Sequence, residues 1–104
     1  MNTDRSQELN QKFRELIGSN NVYFQPPESF KMQYPCIRFK RSNPSSDQAD
    51  NGIYRHRRGY DVIIIDPRPD SPWVDILLEN FRYIQHLRSY TADNLNHDFF
   101  KIYY

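Results

Sequence analysis

Cysteine is almost missing from this chain. Cys36 stands alone among 104 residues, so no internal disulfide can form. Glycine is scarce as well: Gly18, Gly52 and Gly59 lie far apart, which leaves no glycine-rich phosphate loop. Charge of one sign is not in excess. The formal net charge is +1, so no global field draws the chain to nucleic acid or to a membrane surface. No apolar run approaches the ~20 residues of a bilayer-spanning helix. The stretch Met1 to Asn10 is polar and lacks the apolar centre of a secretory leader. These absences predict a protein made and kept in a reducing cytoplasm, or in a particle assembled there.

Aromatic rings are plentiful. Eight Tyr, seven Phe and one Trp sit in a chain whose hydrophobic fraction is only 38%. Each ring can bury about 150–250 Å², so rings carry much of the burial available to a small core. The length suits one domain, residues 1–104, and leaves no room for two. Rings beyond what the core needs suit an interface, where Tyr, Phe and Trp are enriched.

Periodicity gives the element order. Leu9, Phe13, Leu16 and Ile17 keep helical spacing, with Asp4 and Gln7 as a capping pair and Gly18 as the stop. Val22 to Gln25 reads as a short strand ended by Pro26-Pro27. Cys36 to Lys40 reads as a second strand, with Ile37 and Phe39 on one side and Arg38 and Lys40 on the other. Residues 42–52 hold almost nothing apolar and read as a mobile polar loop. Ile53 to Asp66 is the longest strand candidate, bent at Gly59. Its Tyr60-Asp61-Val62-Ile63-Ile64-Ile65 run suits a central strand. Ser71-Pro72 starts a second helix, on which Trp73, Ile76, Leu77, Asn80, Phe81 and Ile84 share a face. A hairpin closes the chain, His86 to Thr91 against His97 to Tyr104 across Ala92 to Asn96. The expected fold is α+β in the order α-β-β-β-α-β-β. Two helices pack a mostly antiparallel sheet of four to five strands, since only a helix-linked crossover is expected to be parallel.

The residues offer no persuasive catalytic or metal constellation, and the chain reads as a non-enzyme without cofactor or metal. His56, His86 and His97 lack ligand spacing and read as solvated or hydrogen-bonded strand residues. Asp66, Asp70 and Asp75 flank a turn and a helix start, where carboxylates complement the helix dipole. Cys36 has no neighbouring histidine in sequence to activate it and reads as a buried thiol. The strongest charge feature is Arg55-His56-Arg57-Arg58, which would join Arg38, Lys40 and Arg41 if the two strands are neighbours. Strand alternation divides it, sending Arg55 and Arg57 to one face and His56 and Arg58 to the other. A solvated strand end, a charged subunit interface and a phosphate contact all remain open readings of this cluster.

Three stretches carry a resemblance. They are Asn21-Val22-Tyr23-Phe24-Gln25-Pro26-Pro27-Glu28-Ser29 running into Tyr34-Pro35-Cys36-Ile37, then Tyr60 to Asp66 with Asp70-Ser71-Pro72, then Tyr90-Thr91-Ala92-Asp93-Asn94-Leu95-Asn96-His97. In order and spacing they resemble tail-completion, tail-terminator and neck proteins of tailed phages, from about residue 20 onward. The last block is the most specific. The resemblance implies a structural virion protein assembled in the host bacterial cytoplasm. It implies a homo-oligomeric ring, a hexamer, that caps the head-proximal end of the tail tube. Its partners would be the tail tube protein and the head–tail connector or adaptor, with no membrane and no specific nucleic acid. On that reading Arg38, Lys40, Arg55 and Arg57 are candidates for a charged contact. Tyr90, Phe99 and Tyr103 are candidates for the seam between subunits. Another connector or head-completion protein is the nearest alternative. A small nucleic-acid-binding regulator or nuclease using Arg55, Arg57 and Arg58 is the alternative of a different class.

Overall fold

A computed structural model describes residues 4–42 and 57–104. The elements are α1 (Arg5–Ile17), β1 (Val22–Phe24), β2 (Cys36–Arg41), β3 (Gly59–Asp66), α2 (Pro72–Asn80), β4 (Ile84–Ala92) and β5 (Leu95–Tyr103), in the expected order. The five strands form one sheet in the order β1-β2-β3-β5-β4. Of the loop expected over 42–52, only Ser42 is described: it is buried, and its backbone N–H donates to the Gly59 carbonyl at 3.0 Å.

The sheet is mixed. β2–β3, β3–β5 and β4–β5 are antiparallel, but β1 and β2 run parallel, with Val22 opposite Ile37 and Phe24 opposite Phe39. The expectation that only a helix-linked crossover could be parallel is therefore corrected. β1 rises only about 10 Å, so the irregular chain at 25–35 suffices to return to the start of β2. The crossover through α2 joins β3 to β4, which are not neighbours, because β5 inserts between them.

One phase of β2 and β3, continued by Phe100 and Ile102 of β5, is apolar, and that phase makes the core. Register aligns Ile37 with Ile64, Phe39 with Val62, Tyr60 with Ile102 and Val62 with Phe100. Leu9 and Phe13 of α1 and Trp73 and Leu77 of α2 pack on this layer. Phe13 meets Phe39 edge-on at 5.2 Å and Phe81 at 5.5 Å between ring centroids. Both helices start as the sequence predicts. The Asp4 carboxylate accepts from the Gln7 N–H at 2.8 Å, and the Ser71 hydroxyl accepts from the Trp73 N–H at 3.3 Å. Gly18, at φ 64, closes α1 in the left-handed conformation. The second helix is shorter than its apolar stripe. Phe81 caps it in extended conformation and Ile84 already belongs to β4. Both still reach the core, Phe81 buried and Ile84 partly so.

The closing hairpin is tighter than Ala92 to Asn96. Ala92 pairs with Leu95, and only Asp93 and Asn94 turn, both left-handed at φ 53 and 61. Two such residues make the primed turn whose twist matches that of the strands, and Asp and Asn tolerate it. A bulge at Leu87 then shifts the register, so that His86 opposes Phe100 while Arg88 opposes Phe99.

The turn after β3 depends on a buried carboxylate. Asp66 is fully buried, and Arg68 grips it with Nε 3.0 Å from Oδ1 and Nη2 2.7 Å from Oδ2. The Arg68 backbone N–H donates to the same Oδ1 at 2.9 Å. Asn96 of the hairpin donates to the Asp66 carbonyl at 3.2 Å, tying the turn to β5. Burial by itself would raise the Asp66 pKa. The hydrogen bonds from Arg68, with Ser71 adding to them, outweigh burial and hold it below its ordinary 3.8.

Two expectations about stability follow from this packing. Trp73→Ala and Phe39→Ala should each cost about 3–5 kcal/mol in urea unfolding, and a parental midpoint for either would remove that ring from the core. A carboxyl whose folded pKa is depressed adds stability that is fully present above its unfolded pKa and lost as pH falls through the folded one. Asp66→Asn should therefore unfold more easily than the parent at neutral pH, with the gap closing in acid below pH 3.8. A gap that stays constant into strong acid would show that the Asp66 charge contributes nothing.

Candidate functional site

Both helices lie on the apolar phase of the sheet, so the opposite phase defines a second face. Arg38 and Lys40 come from β2, Asp61 and Ile63 from β3, and Phe99 and Lys101 from β5. Cross-strand register brings Arg38 beside Ile63, Lys40 beside Asp61, and Ile63 beside Phe99. The Leu87 bulge adds Arg88 and Tyr90 of β4 to the same face, because Arg88 opposes Phe99 and Tyr90 opposes His97. Without the bulge, alternation would send both to the helix side. Leu87 is 56% exposed and Tyr90 46%. A groove of about 480 Å³ runs here, lined by Arg38, Lys40, Ile63, Leu87 and Phe99 among others.

The rings on this face are already stacked on one another. Tyr90 lies parallel to His97, with centroids 4.6 Å apart at 3°, and to Phe99 at 5.6 Å and 24°. The Arg88 guanidinium sits over Phe99 at 4.5 Å. Each of these contacts engages a ring face of Tyr90, His97 or Phe99. A nucleobase needs an open ring face to stack on, whereas a rigid Tyr and Arg surface suits protein contact at low entropic cost.

The described residues contain one constellation that sequence spacing does not reveal. His86 Nε2 lies 3.1 Å from Asp98 Oδ1 and 3.2 Å from Ser89 Oγ, and Ser89 Oγ donates to Asp98 Oδ1 at 2.6 Å. The residue types are those of a hydrolase triad, but the geometry is not. A triad histidine faces serine with one ring nitrogen and the carboxylate with the other. Here both partners meet Nε2, and the serine proton points at the carboxylate. Only the hairpin register and the bulge bring the three together, on the helix side, where His86 also stacks on Phe100 at 4.7 Å. Cys36 is fully buried, and burial foremost, with Asp66 adding to it against Arg38, pushes its thiol up to about 12. It stays a protonated, unreactive thiol at neutral pH. Among the described residues no group of three or more His, Cys, Asp or Glu could hold a metal ion.

The residues proposed from sequence separate into groups. Arg38, Lys40, Tyr90 and Phe99 share the second face. Arg57 packs its guanidinium over Tyr83 at 4.5 Å and does not join Arg38 and Lys40 around the groove. Tyr103 is buried at 9% exposure, so its ring belongs to the fold rather than to an open seam. Arg55 and His56 lie outside the described residues. Arg58 continues the β3–β5 ladder through paired backbone hydrogen bonds with Tyr104, each 2.9 Å. Leu87 and Arg88 were not singled out in the sequence, since no pattern there marks a bulge.

No family model matches the chain, and neither a curated protein nor a solved structure does.

If Leu87 is a surface anchor, Leu87→Ser should leave stability within about 0.5 kcal/mol of the parent and reduce binding of a hydrophobic dye. A loss of several kcal/mol in urea unfolding would place it in the core instead.

Proposed function

We propose that this chain is a structural subunit of a phage neck. It forms a homo-oligomeric ring that caps the head-proximal end of the tail tube and joins it to the head connector. The observation that carries the reading is the second sheet face, with exposed Leu87 and Tyr90 beside Arg38, Lys40 and Arg88. A ring subunit needs distinct surfaces for its neighbours and its axial partners, and this face has the chemistry of a protein contact. Ring faces of Phe99, Tyr90 and His97 are engaged with one another and with Arg88, which weighs against a nucleic-acid regulator.

The three stretches that resemble neck proteins support the same reading. They fall on β1 and the start of β2, on β3 with the turn that follows it, and on the hairpin tip. Two of them meet where Asn96 donates to the Asp66 carbonyl. In the ring, the subunit acts by occupation. A tube that grows by adding rings to an exposed face stops when a cap binds that face and presents a different one. No bond is made or broken, so charge reversals on the contact weaken capping by degrees.

Deleting the gene from the parent phage should give full heads beside unattached tails of irregular, often excessive length under electron microscopy. Tails of normal length beside heads that leak DNA would make the protein a head-completion component and end the terminator reading.

A further inference from the structure

The second sheet face has its complement elsewhere on the same chain. Helix α2 lies on the other side of the sheet and buries Trp73 and Leu77. Its outward positions are Asp75, Leu78 and Glu79, spaced at i, i+3 and i+4 and therefore side by side. Leu78 is 41% exposed, and no basic residue occupies the last turn of the helix. This is an apolar knob between two carboxylates. The groove face is the reverse on balance, an apolar floor of Ile63, Leu87 and Phe99 flanked by the two cations Arg38 and Lys40, with the single carboxylate Asp61 opposite Lys40. Among the described residues, Arg38, Lys40, Asp75 and Glu79 take part in no ion pair. The chain as a whole is nearly neutral at +1, so the two patches reflect a separation of charge within the chain.

We infer that the groove on the open sheet face receives the outer face of α2 from a second copy of this chain, with Leu78 on the Ile63–Leu87–Phe99 floor and Asp75 and Glu79 against Arg38 and Lys40. The inference rests on the ring reading above and specifies its subunit contact. Groove and knob lie on opposite sides of one sheet, so one copy cannot satisfy itself. The contact is head-to-tail, the type that closes rings when the rotation between copies allows. It also covers Leu87 and Leu78, two of the exposed large apolar side chains. Opposite charges across such a contact fix register, and like charges brought together there disfavour it.

The test is a charge swap on the purified full chain. One variant carries Arg38→Glu with Lys40→Glu and a second carries Asp75→Lys with Glu79→Lys, both at exposed positions. Circular dichroism melts check that each folds. In analytical ultracentrifugation the parent should self-associate, and each variant alone should do so about tenfold or more weakly. An equimolar mixture should recover assembly, because the reversed groove of one then faces the reversed helix of the other. Variants that assemble like the parent overturn this contact and leave the ring intact. So does a mixture that fails to recover. A parent that stays monomeric at millimolar concentration also overturns it, while the gene-deletion phenotype still decides the neck reading independently. Retention of the parent on single-stranded DNA, abolished by Arg38→Glu with Lys40→Glu, would assign the groove to nucleic acid and overturn the inference.

Discussion

The structure depends on the alignment of one apolar phase across β2, β3 and β5. Ile37 meets Ile64, Phe39 meets Val62, and Val62 meets Phe100, so a continuous apolar layer forms on a single side. Both helices are drawn to that side, since an amphipathic helix gains most where its stripe finds matching area. Leu9 and Phe13 reach it from α1, Trp73 and Leu77 from α2. The aromatic content answers the small size of the domain. Phe13, Phe39, Tyr60 and Phe81 add their large area to aliphatic neighbours such as Ile37, Val62 and Ile64 in the core.

Commitment of both helices to one side has a consequence for the other. Arg38 and Lys40 remain exposed, and Ile63 and Phe99, on the face away from both helices, are only partly buried. The bulge at Leu87 completes that face. One extra residue sends Arg88 and Tyr90 to the open side and leaves His86 on the helix side. The same register change assembles the Ser89–His86–Asp98 cluster, whose hydrogen bonds all converge on one ring nitrogen and one carboxylate oxygen. It is a polar clamp across the hairpin at the rim of the core.

Asp66 anchors the turn between β3 and α2. A buried carboxylate is costly unless it is paired and hydrogen-bonded, and the Asp66-Pro67-Arg68 turn supplies both a guanidinium and a backbone N–H. With Asn96 on its carbonyl, the turn positions the start of α2 relative to the hairpin. The acidic outer face of α2 and the basic open face of the sheet thereby keep a fixed relation, which any assembly built from both would need.

Local chemistry was legible in the sequence. Asp4, Gly18 and Ser71-Pro72 set the helix ends by capping rules that need only near neighbours. The alternation of Ile37 and Phe39 with Arg38 and Lys40 gave the two faces of β2. Element order, the burial of Cys36 and the core role of Trp73 followed from short-range pattern. Tertiary structure decided what depends on partners distant in sequence. The parallel β1–β2 pair arises because a three-residue strand needs little length to return. The shift that places Tyr90 beside Phe99 arises from a bulge that no residue type announces. Asp66 looked like a turn carboxylate near a helix dipole, yet it is a buried anion. Tyr103 looked like a seam residue, yet it is buried in the fold. A sequence records which side chains alternate, but a face exists only once neighbouring strands fix the register, and register is a property of the assembled sheet.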